Sequence, residues 1–354
     1  MKNFSRTALA VFTPLFALAI MGQGCLGGQP ATGPDGGLYR TADMNAWSHL
    51  TVLDLGKQIG SLANVGMSSL ALDPQDPGAL YAGTVQNGIL YSLNGGESWI
   101  NPEGLSKGNV VAIAVHPKDK CVVYAARLNQ IMKTENCQRD WKEVFFDART
   151  DKRFTSIAID WFNPNVVYAT TDGGDIVRSS NNGDTWSVVY RLDGVALKNI
   201  IVDPHDSRVL YVSAFGQGIL KTVDGGQNWE KIRDTLSEID SKTRRSTLVV
   251  ADPSTKDRVY QVSDYGILRS DDAGASWQAL TLPSPPDSVK ILAFAVNPKD
   301  AKQLVYATPS SVVFSADGGA TWTSKRSPTT RPPKTLLYDL SDSPRLYLAP
   351  GVAK

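Results

Sequence analysis

Apolar residues in this chain come in short runs, each closed by turn-forming residues, and the runs recur. Met67 to Leu72 leads into a Pro-containing turn, then Leu80 to Gly83, a Gly-rich turn, Ile89 to Ser92 and a further run opening at Trp99. Short apolar runs separated by turn residues predict strands rather than helices. Alternation is weak in Ile157-Ala158-Ile159 and Ile200-Ile201-Val202, as expected where strands are covered on both faces. The pattern predicts a four-stranded unit, and that unit repeats.

Two markers count the repeats. The first is a hydroxyl residue, any residue, Asp or Asn, any residue, Gly, two more residues, then Trp. It occurs at Ser92–Trp99, Ser179–Trp186, Thr222–Trp229, Ser270–Trp277 and Ser315–Trp322, with Asn94, Asn181, Asp224, Asp272 and Asp317 at the acidic or amide position. Thr134–Trp141 has lost the Gly, and Thr41–Trp47 is one residue short. The Asp or Asn accepts bonds from nearby backbone N–H groups, the Gly permits positive φ, and the Trp buries a large flat surface. From Trp47 through Trp99, Trp141, Trp186, Trp229 and Trp277 to Trp322 the intervals are 52, 42, 45, 43, 48 and 45 residues. The second marker is an Asp, His or Asn closing an apolar run, with a Tyr eight or nine residues on. The pairs are Asp73/Tyr81, His116/Tyr124, Asp160/Tyr168, Asp203/Tyr211, Asp252/Tyr260, Asn297/Tyr306 and Asp339/Tyr347. Both markers count seven, and a period in the forties with four strands per unit predicts an all-β, seven-bladed β-propeller.

The ends predict how the ring closes. Residues 335–349 supply two strands and stop, while residues 38–55 supply a third strand, a worn turn and a fourth. Together they make one blade, and joining them removes exposed sheet edges. The alternative is an open six-bladed sheet with frayed ends.

On these repeats, over about residues 36–349, the chain resembles the Asp-box (bacterial neuraminidase repeat, BNR) propellers. That group includes sialidases, sortilin-type receptors, tandem-propeller glucanases acting on xyloglucan, and seven-bladed photosystem II assembly factors. The resemblance implies the fold and leaves the activity open. The assembly factors use a basic surface to engage a client protein, but their blades favour a Gly-Trp-x-Val-Gly strand where this chain has Tyr81-Ala82-Gly83 and Tyr168-Ala169-Thr170.

Composition narrows the classes. With 354 residues, 42% hydrophobic content and net charge +1, the chain can bury a sizeable core and lacks the strong basic footprint of a nucleic-acid binder. Residues 1–25 read as a targeting segment: Lys2 and Arg6, an apolar run from Ala8 to Met21, then Gly22-Gln23-Gly24-Cys25. This resembles a bacterial lipoprotein signal, with Cys25 acylated and an outer-membrane destination implied by Leu26; Gly22 departs from the usual aliphatic residue, and plain secretion is the alternative. Residues 26–37 read as a flexible tether, 38–349 as the propeller and 350–354 as a tail.

Cys121 opens the second strand of its blade and Cys137 sits in the worn turn, on the same rim of a four-stranded meander. An exported chain permits a disulfide there, with two buried free thiols as the alternative. His49, His116 and His205 are scattered without ligand spacing, so neither metal nor cofactor is expected.

Glycoside hydrolysis needs two carboxylates across one cleft. The Arg-Ile-Pro signature of sialidases is absent. Thr170-Thr171-Asp172-Gly173-Gly174 resembles a Thr-Asp-x-Gly-Gly segment that carries a catalytic Asp in the tandem-propeller glucanases, which implies Asp172 as the candidate acid of an enzyme reading; a turn role explains it equally. Cations form the other candidate site. Arg153, Arg245 and Lys290 lie seven residues before the first-strand marker, and Lys198 and Lys334 five before. Both offsets predict the same side of a strand, and hence a basic mouth on the central channel. Arg149, Lys152, Arg244, Lys325, Arg326 and Arg331 lie in the adjoining loops, diluted by Asp147, Asp151, Asp240 and Asp287. The competing account is an ordinary solvated loop face.

The expectation is a non-enzymatic, envelope-anchored propeller, a monomer or part of a hetero-complex, that binds a protein or an anionic glycan and touches the membrane through its lipid alone. A glycan-binding or glycoside-hydrolase-like propeller is the alternative.

Overall fold

The structure is a computed structural model that describes residues 34–353. Cys25 and the rest of the expected targeting segment lie outside the described residues. Seven antiparallel sheets of four blade strands follow one another as the blades of a propeller. Their first, innermost strands are Met67–Leu72, Ala112–Val115, Phe154–Ile159, Leu197–Val202, Ser246–Ala251, Ala293–Asn297 and Pro333–Tyr338, which open blades 1 to 7.

Apolar burial lies between blades rather than in one central core. Seven clusters of buried residues each span two neighbouring sheets; Tyr168, Ile176, Leu210 and Leu220, for example, join blades 3 and 4. Second strands such as Leu80–Thr84, Val167–Thr171 and Leu210–Ala214 are buried at every position. This is why their sequences lack clean alternation.

Ring closure is made as the end segments predict. Leu38–Thr41 pairs antiparallel with Leu346–Pro350, Tyr39 opposite Leu348, and Ser48–Leu50 completes blade 7 from the outside. The expected boundary of that fourth strand needs correction. Val52–Asp54 leaves blade 7 and runs parallel to Trp99–Ile100, with Leu53 opposite Trp99, then turns back as Ile59–Ser61. Blade 1 thus becomes six-stranded, and the N-terminal segment binds both sides of the closure.

The Asp and Asn turns lock by a repeated set of bonds. In blade 4 the Thr222 hydroxyl donates to Asp224 Oδ1 at 2.7 Å, and that oxygen also accepts the N–H groups of Gln227 and Asn228, both at 2.9 Å. Asn94 accepts the Ser98 N–H at 2.9 Å and Asn181 the Thr185 N–H at the same distance, so the amide serves in place of the carboxylate. The Gly is required twice over: Gly183 has φ 88°, and a Cβ there would stand 3.0 Å from the Tyr124 ring of the preceding blade. The ring N–H groups of Trp186, Trp229 and Trp277 donate to Gly183, Gly226 and Gly274, whereas Trp322 turns to the Thr281 carbonyl.

Candidate functional site

One mouth of the central channel is framed by the starts of the innermost strands. There the pairing with the second strand slips. Between Met67 and Ser69, Phe154 and Ser156, Ser246 and Leu248, and Pro333 and Thr335 the register shifts, leaving Ser68, Thr155, Thr247 and Lys334 as extra residues. In blade 4 the irregularity runs from Leu197 to Ile200 and takes in Lys198. These are β-bulges, which insert a residue and re-aim its side chain.

The positions five residues before each first-strand marker, bulged in five of the blades, form a ring. Lys198 and Lys334, Ser68, Thr155 and Thr247, and the apolar Val111 and Leu292 bring one side chain from each blade to a cavity of about 530 Å³. An overlapping cavity of about 590 Å³ is walled in addition by Met67, Phe154, Pro332 and Val352. Among the described residues lining either cavity, none is Asp or Glu.

The hydroxyls and the lysines at these positions differ in what they hold. Ser68 donates to the Val110 carbonyl at 2.5 Å, Thr155 to that of Thr170 at 3.1 Å and Thr247 to that of Val262 at 3.2 Å. They tie the bulges to neighbouring backbone. Lys198 instead lays its ammonium 5.4 Å from the centre of the exposed Phe215 ring. Lys334 is exposed to the channel, whose walls displace part of the water around it. Burial, followed by the charge of Lys198, pulls its pKa below the ordinary lysine value.

The expected set of five cations is only partly assembled. Lys198, Lys290 and Lys334 line the cavity, but Arg153 and Arg245 do not. The bulge is the reason. An inserted residue resets the alternation, so positions seven and five before the marker no longer face the same side. Arg245 lies 3.3 Å from Asp264, an exposed pair worth little but enough to neutralise its field.

Several loop cations are also spent within the chain. Arg149 pairs with Asp147 and with Asp175, a buried carboxylate that Arg191 meets from its other side at 2.6 Å. Arg331 binds Asp35 at 3.1 Å, Lys152 stands 3.4 Å from Asp151, and Lys325 donates to Asn45. Arg244 donates to the Ser241 carbonyl at 3.1 Å.

Asp172 sits in the exposed turn between the second and third strands of blade 3. Its Oδ1 accepts the Arg153 N–H at 2.8 Å, and its own N–H donates to the Arg153 carbonyl at 2.9 Å. This reciprocal pair fastens the turn to the start of the blade. On the opposite rim Cys121 and Cys137 are joined in a disulfide with Cα atoms 3.9 Å apart, in the blade whose turn lacks the Gly. His116 and His205 occupy rim turns, where His116 Nδ1 accepts the Lys118 N–H at 3.1 Å; His49 stacks on Tyr39 at 4.4 Å. Sequence reasoning missed the bulges themselves, because a one-residue insertion leaves no mark on composition or on the repeat length.

No family model matches the chain. Among curated proteins it is 27% identical over 206 residues to a xyloglucanase of a Paenibacillus species, covering 52% of this chain and 16% of that protein. It is 28% identical over 250 residues to a xyloglucanase of Hypocrea jecorina, covering 64% and 27%. The chain therefore spans well under a third of the curated relatives it matches. Among solved structures it resembles YCF48 bound to a D1 peptide, with TM-score 0.62, 16% identity, and coverage of 82% of this chain and 94% of that one. It also resembles the GH74 xyloglucanase of Xanthomonas campestris, with TM-score 0.66, 15% identity, and coverage of 82% and 51%. The seven-bladed propeller is thus shared with both groups.

Proposed function

We propose that this chain is a non-enzymatic propeller of the cell envelope that docks a protein partner at its basic channel mouth, as an assembly factor or scaffold. In this reading it is an Asp-box (BNR) repeat protein, exported by residues 1–25 and held at the outer membrane by an acylated Cys25. The observation that carries the proposal is the composition of the mouth: Lys198, Lys290 and Lys334 converge there, and no carboxylate joins them in the lining. A concave mouth with one sign of charge focuses its field and draws in an anionic surface. The likeness to YCF48, whose structure holds a D1 peptide and which this propeller matches over nearly its full length, supports a protein partner.

The second reading is a glycan-binding or glycoside-hydrolase-like propeller. The xyloglucanase matches and Asp172 favour it. Against it, among the described residues neither cavity lining holds a carboxylate, Asp172 included, and both hydrolytic routes need two.

A photo-crosslinker placed at Thr247 on the mouth, or at the exposed Val223 on the opposite rim, tests the docking site in intact envelopes. The proposal expects a discrete protein adduct at Thr247 that Lys198→Glu/Lys290→Glu/Lys334→Glu removes. Adducts at Val223 alone, or adducts indifferent to the charge reversals, contradict it.

A further inference from the structure

Five blades bulge at the same position, yet they put two kinds of residue there. In blades 1, 3 and 5 the bulged residue is Ser or Thr, and its hydroxyl is consumed by a backbone carbonyl. Such residues stabilise the bulge and have no proton left to offer a ligand. In blades 4 and 7 the residue is lysine, and both lysines line the two cavities, the Lys198 ammonium lying 5.4 Å from the centre of the Phe215 ring. Blades 4 and 7 lie three places apart in a ring of seven, as far apart as two blades can be. The two lysines therefore join the same cavity linings from opposite sides of the ring, and the charge of Lys198 helps to lower the Lys334 pKa.

Two like charges in the lining of one cavity repel, and among the described residues the lining supplies no counter-charge. One doubly charged group between them would relieve the repulsion and accept a charge-assisted hydrogen bond from each side. The surrounding wall is suited to more than a bare ion. Met67, Phe154, Val111 and Leu292 offer apolar surface beside the lysines, and the cavity of about 590 Å³ falls within the range of small-molecule sites.

We infer that the channel mouth is a binding site for a small, doubly charged oxyanion, a phosphate monoester or a dicarboxylate, bridged between Lys198 and Lys334. The inference rests on the reading of this mouth as the functional site, and it adds the chemistry the mouth recognises. A docking partner would engage the site by presenting such a group, and a free metabolite would engage it in the same way. Lys290, just before the first strand of blade 6 and beside the blade of Lys334, adds long-range attraction.

The test is calorimetric titration of the purified full-length propeller with inorganic phosphate and, separately, with succinate. The inference expects saturable one-to-one binding of at least one of them, weakened at least tenfold in Lys198→Met and in Lys334→Met. It also expects unchanged binding in Lys302→Met, an exposed lysine outside the cavity linings. Thermal melts of every variant guard against misfolding. Tighter phosphate binding points to a phosphate monoester, and tighter succinate binding to a dicarboxylate. Wild-type protein that binds neither, or lysine variants that bind as well as wild type, overturn the inference. Anion binding that survives while the crosslinked partner is absent would overturn the docking proposal alone.

Discussion

The hydroxyl of Tyr168 in blade 3 donates at 2.8 Å to the carbonyl of Gly225, in the Asp turn of blade 4. Tyr124 makes the same bond to Asn182 at 2.7 Å, Tyr211 to Ala273 at 3.1 Å and Tyr347 to Gly95 at 3.3 Å. Each acceptor is the third residue after the hydroxyl that opens its turn, and each has positive φ: 59° at Asn182, 57° at Ala273, 69° at Gly95 and 72° at Gly225. The left-handed residue presents its carbonyl to the preceding blade. At these four tyrosines the two sequence markers are therefore the donor and acceptor ends of one inter-blade latch.

The latch is not made in every blade: Tyr81 donates instead to the Lys120 carbonyl at 3.4 Å, and Tyr260 gives an internal control. Tyr260 is fully buried, yet its hydroxyl has no partner among the described residues. Tyr168→Phe should lower unfolding free energy by about 1 kcal/mol, the usual worth of one hydrogen bond. Tyr260→Phe should be neutral or stabilising, because it removes an unsatisfied buried group. Urea denaturation of the two variants checks the contrast.

Trp99 should be the costliest of the turn tryptophans to remove. It has no exposed surface, since the Val52–Asp54 strand covers it, whereas Trp229 is half-buried. Trp99→Ala should cost about 3–5 kcal/mol, and Trp229→Ala clearly less. Equal losses in chemical denaturation would show that the N-terminal strand does not seal blade 1.

Acid should loosen the ring through its turns. Hydrogen bonds hold the carboxyls of Asp224, Asp272 and Asp317 at about 2, against an ordinary 3.8. A depressed carboxyl pKa contributes stability above the unfolded value, and that contribution is lost as pH falls through the folded one. Wild-type melting temperature should thus fall between about pH 4 and 2. Asp224→Asn/Asp272→Asn/Asp317→Asn should show a flatter acid limb, because Asn94 and Asn181 already make the turn with amides.

The Cys121–Cys137 bond closes a loop of 16 residues in the blade whose turn lacks its Gly. Cys121→Ser/Cys137→Ser should lose about 2–3 kcal/mol on loop-closure grounds. Reductant should lower the wild-type melt to that of the variant and leave the variant unmoved.

The blades, their number and their closure were legible because each rests on local chemistry. An Asp or Asn, a Gly and a Trp at set spacing build the same turn wherever they occur, and a Tyr at a set distance finds it. The mouth was legible only in part. Lys198 and Lys334 differ from Arg153 and Arg245 by a two-residue offset that alternation treats as equivalent, and only the bulge separates them. Arg149 read as a loop cation diluted by Asp147, and the structure adds Asp175, 26 residues away, which closes on it as well. The strand Val52–Asp54 carries no apolar stripe, being mostly exposed, and its parallel pairing with Trp99–Ile100 depends on a neighbour about fifty residues away, a separation no local periodicity records.

The central claim is that the mouth binds rather than cleaves. Release of reducing ends from xyloglucan oligosaccharides, measured with wild-type protein and with Asp172→Asn, tests it most directly. The two proteins are expected to behave alike, with neither exceeding the buffer blank. Turnover by the wild type that Asp172→Asn abolishes, in a variant with an unchanged melt, would contradict it and make Asp172 a catalytic residue.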